Sequence, residues 1–282
     1  MSSMVPPLFA GLLDDAALLQ PGDATVAHAA AGFREHRDAW YGELVGALLV
    51  PSSLLDLDCD PPGLPVCVIS DAALTILPVA VAKLRACGAS VRAIEAAVAR
   101  RGEDPQPGLA ELRRLTTSDK DLDVYAEIPL SWGLLAALDA VAAMRADGLR
   151  IAPKFRVGGL AGELFPTPVE LAAVICACRD RELPFKLAAG IRHALRHTDP
   201  ETGFTHHGFL NVLVAVLLAT DGHEVAEVAE ALGATHPVPL VEPARARRDE
   251  IRPLWAGFGA STIVEPLTEM VRLGLINGGY SS

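Results

Sequence analysis

Short apolar runs alternate with longer amphipathic stretches along the whole chain. Eight runs have the length and composition of strands: the first half of "AGLLDDAALL", then "GALLVPSS", "LPVCVISD", "SVRAIEAA", "DVYAEIPL", "IAPKFRVGG", "PFKLAAG" and "LWAGFGAS". Helical patterns lie between them. "TPVELAAVICACRDR" opens on Thr167 as N-cap, Pro168 at the first helical position and Glu170 at the third. "SWGLLAALDAVAAMRADG" starts at Ser131 and stops at Gly148. "DAALTILPVAVAKLRACG" stops at Gly88 and is expected to kink at Pro78. "DCDPPGLP" and "RRGEDPQPG" read as loops. No low-complexity linker divides the chain. Eight strand–helix units without a break predict an α/β fold, a (β/α)8 TIM barrel, as one domain over 1–282 with an extended segment at about 191–250. An open doubly wound sheet would show a G-x-G-x-x-G turn after its first strand, and the chain has none.

Alternation along the strands adds direction. If Lys154 points into the barrel, so do Ala152 and Arg156, and Pro153, Phe155 and Val157 face the helices. If Lys186 points in, so does Ala188, with Phe185 and Leu187 outward. An inward Glu127 leaves Val124, Ala126 and Ile128 outward. The three runs are consecutive, so Glu127, Lys154 and Lys186 are expected on neighbouring strands, near the C-terminal strand ends where barrel chemistry gathers.

Composition narrows the classes of function. The net charge of −11 argues against a nucleic-acid partner or an anionic membrane surface. No apolar run reaches the length of a membrane span, and the N-terminus lacks the pattern of a signal peptide, so the expected location is the cytoplasm. The five cysteines contain no C-x-x-C pair and read as reduced, buried thiols. A small-molecule substrate is the expected partner. Homo-oligomer formation through outward helices is compatible with such a barrel.

The chain has only four lysines, and two of them, Lys154 and Lys186, end apolar strands beside glycines. A lysine becomes a nucleophile when desolvation or a second cation lowers its pKa. Lys154, Lys186 and nearby Arg156 supply both conditions, although spacing alone does not choose the nucleophile. Glu127 could relay protons or hold a lysine in a structural ion pair. Gly158-Gly159, Ala189-Gly190 and Gly259-Ala260-Ser261 form small-residue turns, each ahead of an expected helix start, whose N–H groups could approach a phosphate. Arg192 and His193 follow the second turn as binding candidates. His193 and His197 are spaced to share a helical face, but no carboxylate or thiolate set completes a metal site, so neither metal nor organic cofactor is expected. Asp14 and Asp15 close the first strand and could touch the site from its far side; solvated loop acids are the preferred reading.

These motifs resemble the deoxyribose-phosphate aldolase family of class I aldolases. "PKFRVGG" is similar to that family's sixth strand, "FKLAAGIR" to its seventh, and "FGAST" to its eighth-strand turn; "VYAEIPL" and "LLVPSS" are looser matches. The resemblance implies a (β/α)8 barrel, a Schiff base on Lys154 and an electrostatic role for Lys186. Phe155-Arg156-Val157-Gly158 replaces the family's Thr-Ser-Thr-Gly, and Glu95 is the nearest acid to its fourth-strand aspartate. About 75 residues separate Lys186 from Ser261, longer than the family's interval. The chain is also similar to bacterial proteins of no assigned activity with a KxRxGG…HGFLN pattern, for which the barrel and lysines carry over without the aldolase substrate. Two functions follow as expectations. One is an aldolase-like lyase acting on a small, in some cases phosphorylated, carbonyl substrate. The other is a non-covalent barrel, a sugar-phosphate isomerase or small-ligand binder, in which the lysines attract an anion.

Overall fold

The computed structural model describes residues 4–19, 25–56, 62–117, 119 and 121–278. Part of the first loop read above, with Cys59 and Lys120, lies outside them. The eight predicted runs become β1 (Leu13–Asp15), β2 (Val45–Pro51), β3 (Pro65–Ser70), β4 (Ser90–Ala97), β5 (Asp123–Glu127), β6 (Ile151–Arg156), β7 (Phe185–Ala188) and, last in the chain, β10 (Trp255–Ala260). They close a barrel in the order β1-β10-β7-β6-β5-β4-β3-β2, with every neighbouring pair parallel. Two short strands, β8 (His197–Thr198) and β9 (Thr205–His206), form a separate antiparallel hairpin.

Helices α1 (Val26–Asp38), α2 (Leu77–Ala86), α3 (Gln106–Thr116), α4 (Leu134–Ala146), α5 (Pro168–Arg179), α6 (Phe209–Thr220), α7 (Val225–Gly233), α8 (Val238–Ala246) and α9 (Val264–Arg272) surround the barrel. The alternation is not complete. Among the described residues, β2 is followed by a 3-10 turn at Ser52–Asp56 in place of a helix. The segment between β7 and β10 instead holds the hairpin and three helices. Nearly every side chain of α6 is buried. A helix apolar on all sides needs cover on all sides, and α5, α7 and α8 pack against it.

Local signals explain most helix ends. Thr167 and Glu170 form the expected capping box, with Pro168 in the first turn of α5. Pro78 does not kink α2; it lies in the helix's first turn, where its missing N–H leaves no hydrogen bond unmade. Outward strand residues such as Phe155, Phe185 and Leu187 are fully buried under the helices. Inward, the floor is a small cluster of Ala16, Leu49, Cys67 and Ala93, with Ala47, Ile69 and Tyr125 packed against it. The alanines and Cys67 of that cluster leave room above for polar side chains. Cys67, Cys176 and Cys178 are free and buried as expected, whereas Cys87 is disulfide-bonded. Among the described residues no helix is long and apolar enough to cross a membrane.

Candidate active site

Strand register lifts the charged residues to one level of the barrel. Glu127 pairs with Lys154 across β5 and β6, and Lys154 pairs with Lys186 across β6 and β7. The expected inward set is therefore assembled, and residues outside it complete a row. Lys154 Nζ donates to Glu95 Oε2 at 2.7 Å and to Glu127 Oε2 at 2.7 Å. Lys186 Nζ donates to Glu95 Oε1 and to Asp14 Oδ2. Arg156 Nε reaches Glu127 Oε1 at 3.1 Å. The order Asp14, Lys186, Glu95, Lys154, Glu127, Arg156 alternates strictly in sign.

Alternation is what makes such burial tolerable. Glu95, Lys154 and Lys186 are each no more than 5 % exposed. An isolated charge in that position would be driven to its neutral form. Here each interior ion has an opposite charge on both sides. Burial alone would raise the Glu95 pKa, but Lys186 and Lys154 outweigh it and hold the carboxyl down at about 2. Burial alone would likewise raise Glu127, and Lys154 with Arg156 lowers it. For Lys154, burial pulls down, while Glu95 and Glu127 push the ammonium above its ordinary value. For Lys186, Asp14 and Glu95 overcome burial by a wider margin. This corrects the sequence expectation of a lysine pKa lowered by a neighbouring cation. The two ammoniums never face each other, because the Glu95 carboxylate stands between them.

Asp14 corrects a second expectation. It is not a solvated loop acid; its other oxygen accepts the Ala47 N–H at 2.7 Å, fixing it against β2. A Cβ at Gly46 would lie 2.2 Å from that Asp14 oxygen, so glycine keeps the approach open. Asp15 points the other way, is buried, and caps the following turn by accepting the Ala17 N–H. Glu95 and Asp14 were weak signals in sequence, since an acid inside a strand reads equally well as inward or as an edge residue.

Above the row lies a cavity of about 670 Å3 lined by Lys154, Lys186, Glu95, Glu127 and Arg156, and by Gly159, Gly190, Arg192, His193, Gly259 and Ser261. Of the sequence-selected binding residues, only Gly158 is outside this lining. A Cβ on it would stand 2.5 Å from the Gly190 Cα, so Gly158 serves the close packing of two turns. Ala189 and Gly190 are consecutive left-handed residues, with φ of 59° and 73°. The N–H groups of Gly190 and Ser261 have no acceptor among the described residues. Only the Ser261 turn leads directly into a helix, α9; the other two are followed by longer connections. A second, largely apolar cavity of about 550 Å3 lies outside the barrel, beside α4 and α5, and shares Glu127 and Arg156 with the first.

The histidines are placed by the hairpin, not by a helical face. His197 and His206 are cross-strand partners with stacked rings 5.2 Å apart, and His193 meets His197 edge-on at 4.4 Å. His193 Nδ1 bonds Glu269 Oε1 at 2.7 Å, and His206 Nδ1 donates to the Gly190 carbonyl at 2.9 Å. Among the described residues no group of three or more His, Cys, Asp or Glu side chains is arranged to hold a metal ion. His207 is structural: its Nε2–H donates to the Pro166 carbonyl at 2.8 Å, and Arg196 donates to its Nδ1 at 3.3 Å. Asn211, fully buried, accepts the Arg196 N–H and donates to the Ala231 and Ala234 carbonyls. The "HHGFLN" stretch thus anchors the rim of the cavity.

Burial pushes the His207 pKa down to about 4. Its folded pKa is depressed, so the stability it confers is present above pH 6.5 and is lost as pH falls toward 4, by about 3 kcal/mol. Urea unfolding at the two pH values is expected to show that loss, reduced in His207→Gln. An equal acid loss in the variant would assign the effect to other groups. No family model and no curated protein matches the chain.

Proposed function

We propose that the chain is an aldolase-like lyase that forms a Schiff base between Lys154 and a small carbonyl substrate. The observation that carries this reading is the position of Lys154 between two carboxylates at the mouth of a closed barrel, within the lining of a cavity. Glu95, on the fourth strand, supports the resemblance drawn from sequence, because it bridges the two lysines where that family uses an acid.

The raised lysine pKa fits the charge balance of imine formation. An ammonium plus a carbonyl gives an iminium plus water, so one positive charge is present before and after. Carboxylates that stabilise the ammonium therefore stabilise the iminium that replaces it. Lys154 passes one proton to Glu127, and the neutral nitrogen adds to the carbonyl carbon. The carbinolamine hydroxyl recovers that proton and leaves as water. The iminium then accepts the electron pair of the bond between the carbons alpha and beta to it, and becomes an enamine. The hydroxyl on the beta carbon gives its proton to a carboxylate, and the fragment that carries it leaves as an aldehyde. Written backwards, the same steps join the two fragments. An anionic tail on the substrate would take the unpaired N–H groups of Gly190 and Ser261.

Borohydride reduction with a panel of aldehydes and ketones, read by intact mass, tests the reading. Because the Glu127 pKa is lowered below its ordinary value by Lys154 and Arg156 and the carboxylate takes the proton internally, the trapping rate is expected to be level from about pH 6 to about pH 9. Glu127→Gln is expected to replace that plateau with a rise of about tenfold per pH unit, since the proton must then go to solvent. Adduct formation by no carbonyl would favour the second reading, a non-covalent sugar-phosphate isomerase or ligand-binding barrel. The full ion pairing of both lysines is the observation that supports that alternative.

A further inference from the structure

We propose that the carbonyl substrate is a 2-oxo acid, whose carboxylate is gripped by Arg156 while its keto carbon meets Lys154. The inference rests on the imine reading and adds the class of substrate. Arg156 follows Lys154 by two residues on β6 and so shares its inward face. One carboxylate, that of Glu127, touches both: Oε2 lies 2.7 Å from Lys154 Nζ and Oε1 lies 3.1 Å from Arg156 Nε. The Nε of the guanidinium is therefore held about one carboxylate's width from the nucleophile, and the terminal nitrogens extend beyond it. Only its Nε edge is engaged. The two terminal nitrogens have no partner among the described residues, the side chain is 46 % exposed, and it lines the cavity.

A free guanidinium edge presents two parallel N–H groups, which match a planar carboxylate side-on. The short tether to Glu127 decides where on the substrate that carboxylate sits. A carboxylate bonded to the carbon that becomes the imine carbon, as in a 2-oxo acid, suits that short reach. A phosphate ester would place its anion at least two bonds farther off, where the free N–H groups of Gly190 and Ser261 are available on the β7 and β10 side. The step itself balances without another reagent: the Lys154 nitrogen bonds to the keto carbon, the keto oxygen leaves as water, and the substrate carboxylate stays ionised against Arg156.

The test compares two three-carbon ketones, pyruvate and hydroxyacetone, which differ in a carboxylate against a hydroxymethyl group. Borohydride trapping of the wild type is expected to favour pyruvate, and Arg156→Leu is expected to lower the pyruvate-to-hydroxyacetone ratio by about 10- to 100-fold. Arg156→Lys, which keeps the charge but not the fork, is expected to fall between the two. Calorimetric titration with oxamate, an isostere of pyruvate that forms no imine, reads recognition alone. It is expected to weaken in Arg156→Leu by a similar factor. An unchanged trapping ratio in Arg156→Leu, or equal trapping of both ketones by the wild type, would overturn the oxo-acid inference and leave the imine reading standing. Oxamate binding that depends on Arg156 with no trapping of any carbonyl would overturn the imine reading and keep oxo-acid recognition. Absence of oxamate binding to the wild type would overturn recognition of the oxo acid itself.

Discussion

Replacing Lys154 with arginine is expected to leave a folded barrel that yields no reducible adduct with any carbonyl. Arginine keeps a positive charge between Glu95 and Glu127, so neither carboxylate is left unpaired, but a guanidinium with a pKa above about 12 supplies no free amine. Lys186→Arg is expected to keep the adduct while slowing its formation. The structural reason for choosing Lys154 is the setting of each ammonium. Lys186 lies between Asp14 and Glu95, 5.0 Å above the Tyr125 ring, and Asp14 is itself held by the Ala47 N–H. Lys154 shares Glu95 but has Glu127 as its second partner, and Glu127 leads to the partly exposed Arg156. The proton of Lys154 thus has a route to the cavity. Intact mass after borohydride treatment reads both variants. A surviving adduct in Lys154→Arg that vanishes in Lys186→Arg would move the nucleophile to Lys186.

The second large effect is on stability. Glu95→Gln is expected to destabilise the fold by about 3–5 kcal/mol, because two buried ammoniums would lose their shared counter-charge. Urea unfolding at neutral pH measures it. The loss should be partly reversed by adding Lys154→Met, which removes one of the stranded charges; neighbours in one network are expected to couple in this way. A loss of less than about 1 kcal/mol in Glu95→Gln would mean that water already screens the row, contrary to its burial. The linkage has a definite sign at each end of the pH scale. Glu95 and Glu127 have depressed folded pKa values, so their contribution is present above the ordinary 4.5 and is lost as pH falls, toward about 2 for Glu95. The two lysines have raised values, so theirs is complete below 10.5 and is lost only above it.

Much of this was legible in the chain. Strand positions follow from apolar runs of four to eight residues, because a strand buried under helices needs a continuous outward face. The inward side of β5, β6 and β7 was readable from alternation, since successive side chains leave a strand on opposite faces. Glu127, Lys154 and Lys186 were therefore placed correctly as neighbours. The capping box of α5 was local in the strict sense, three residues apart, and local signals survive folding unchanged.

What the sequence did not settle was non-local. Asp14 and Glu95 meet at Lys186 from positions 172 and 91 residues away along the chain. Nothing near Asp14 separates it from Asp15, yet one enters the site and the other caps a turn, because strand pleat and barrel closure assign them to opposite faces. The histidine spacing suggested a helix, but the chain there turns into a hairpin held by His207 and Asn211. Sequence determined which residues could carry charge into the barrel. Only the closed sheet decided that a carboxylate would stand between the two lysines, and that placement reverses the sign of their pKa shifts. Coulomb interaction depends on distance through space, and barrel closure brings together residues that chain order keeps far apart.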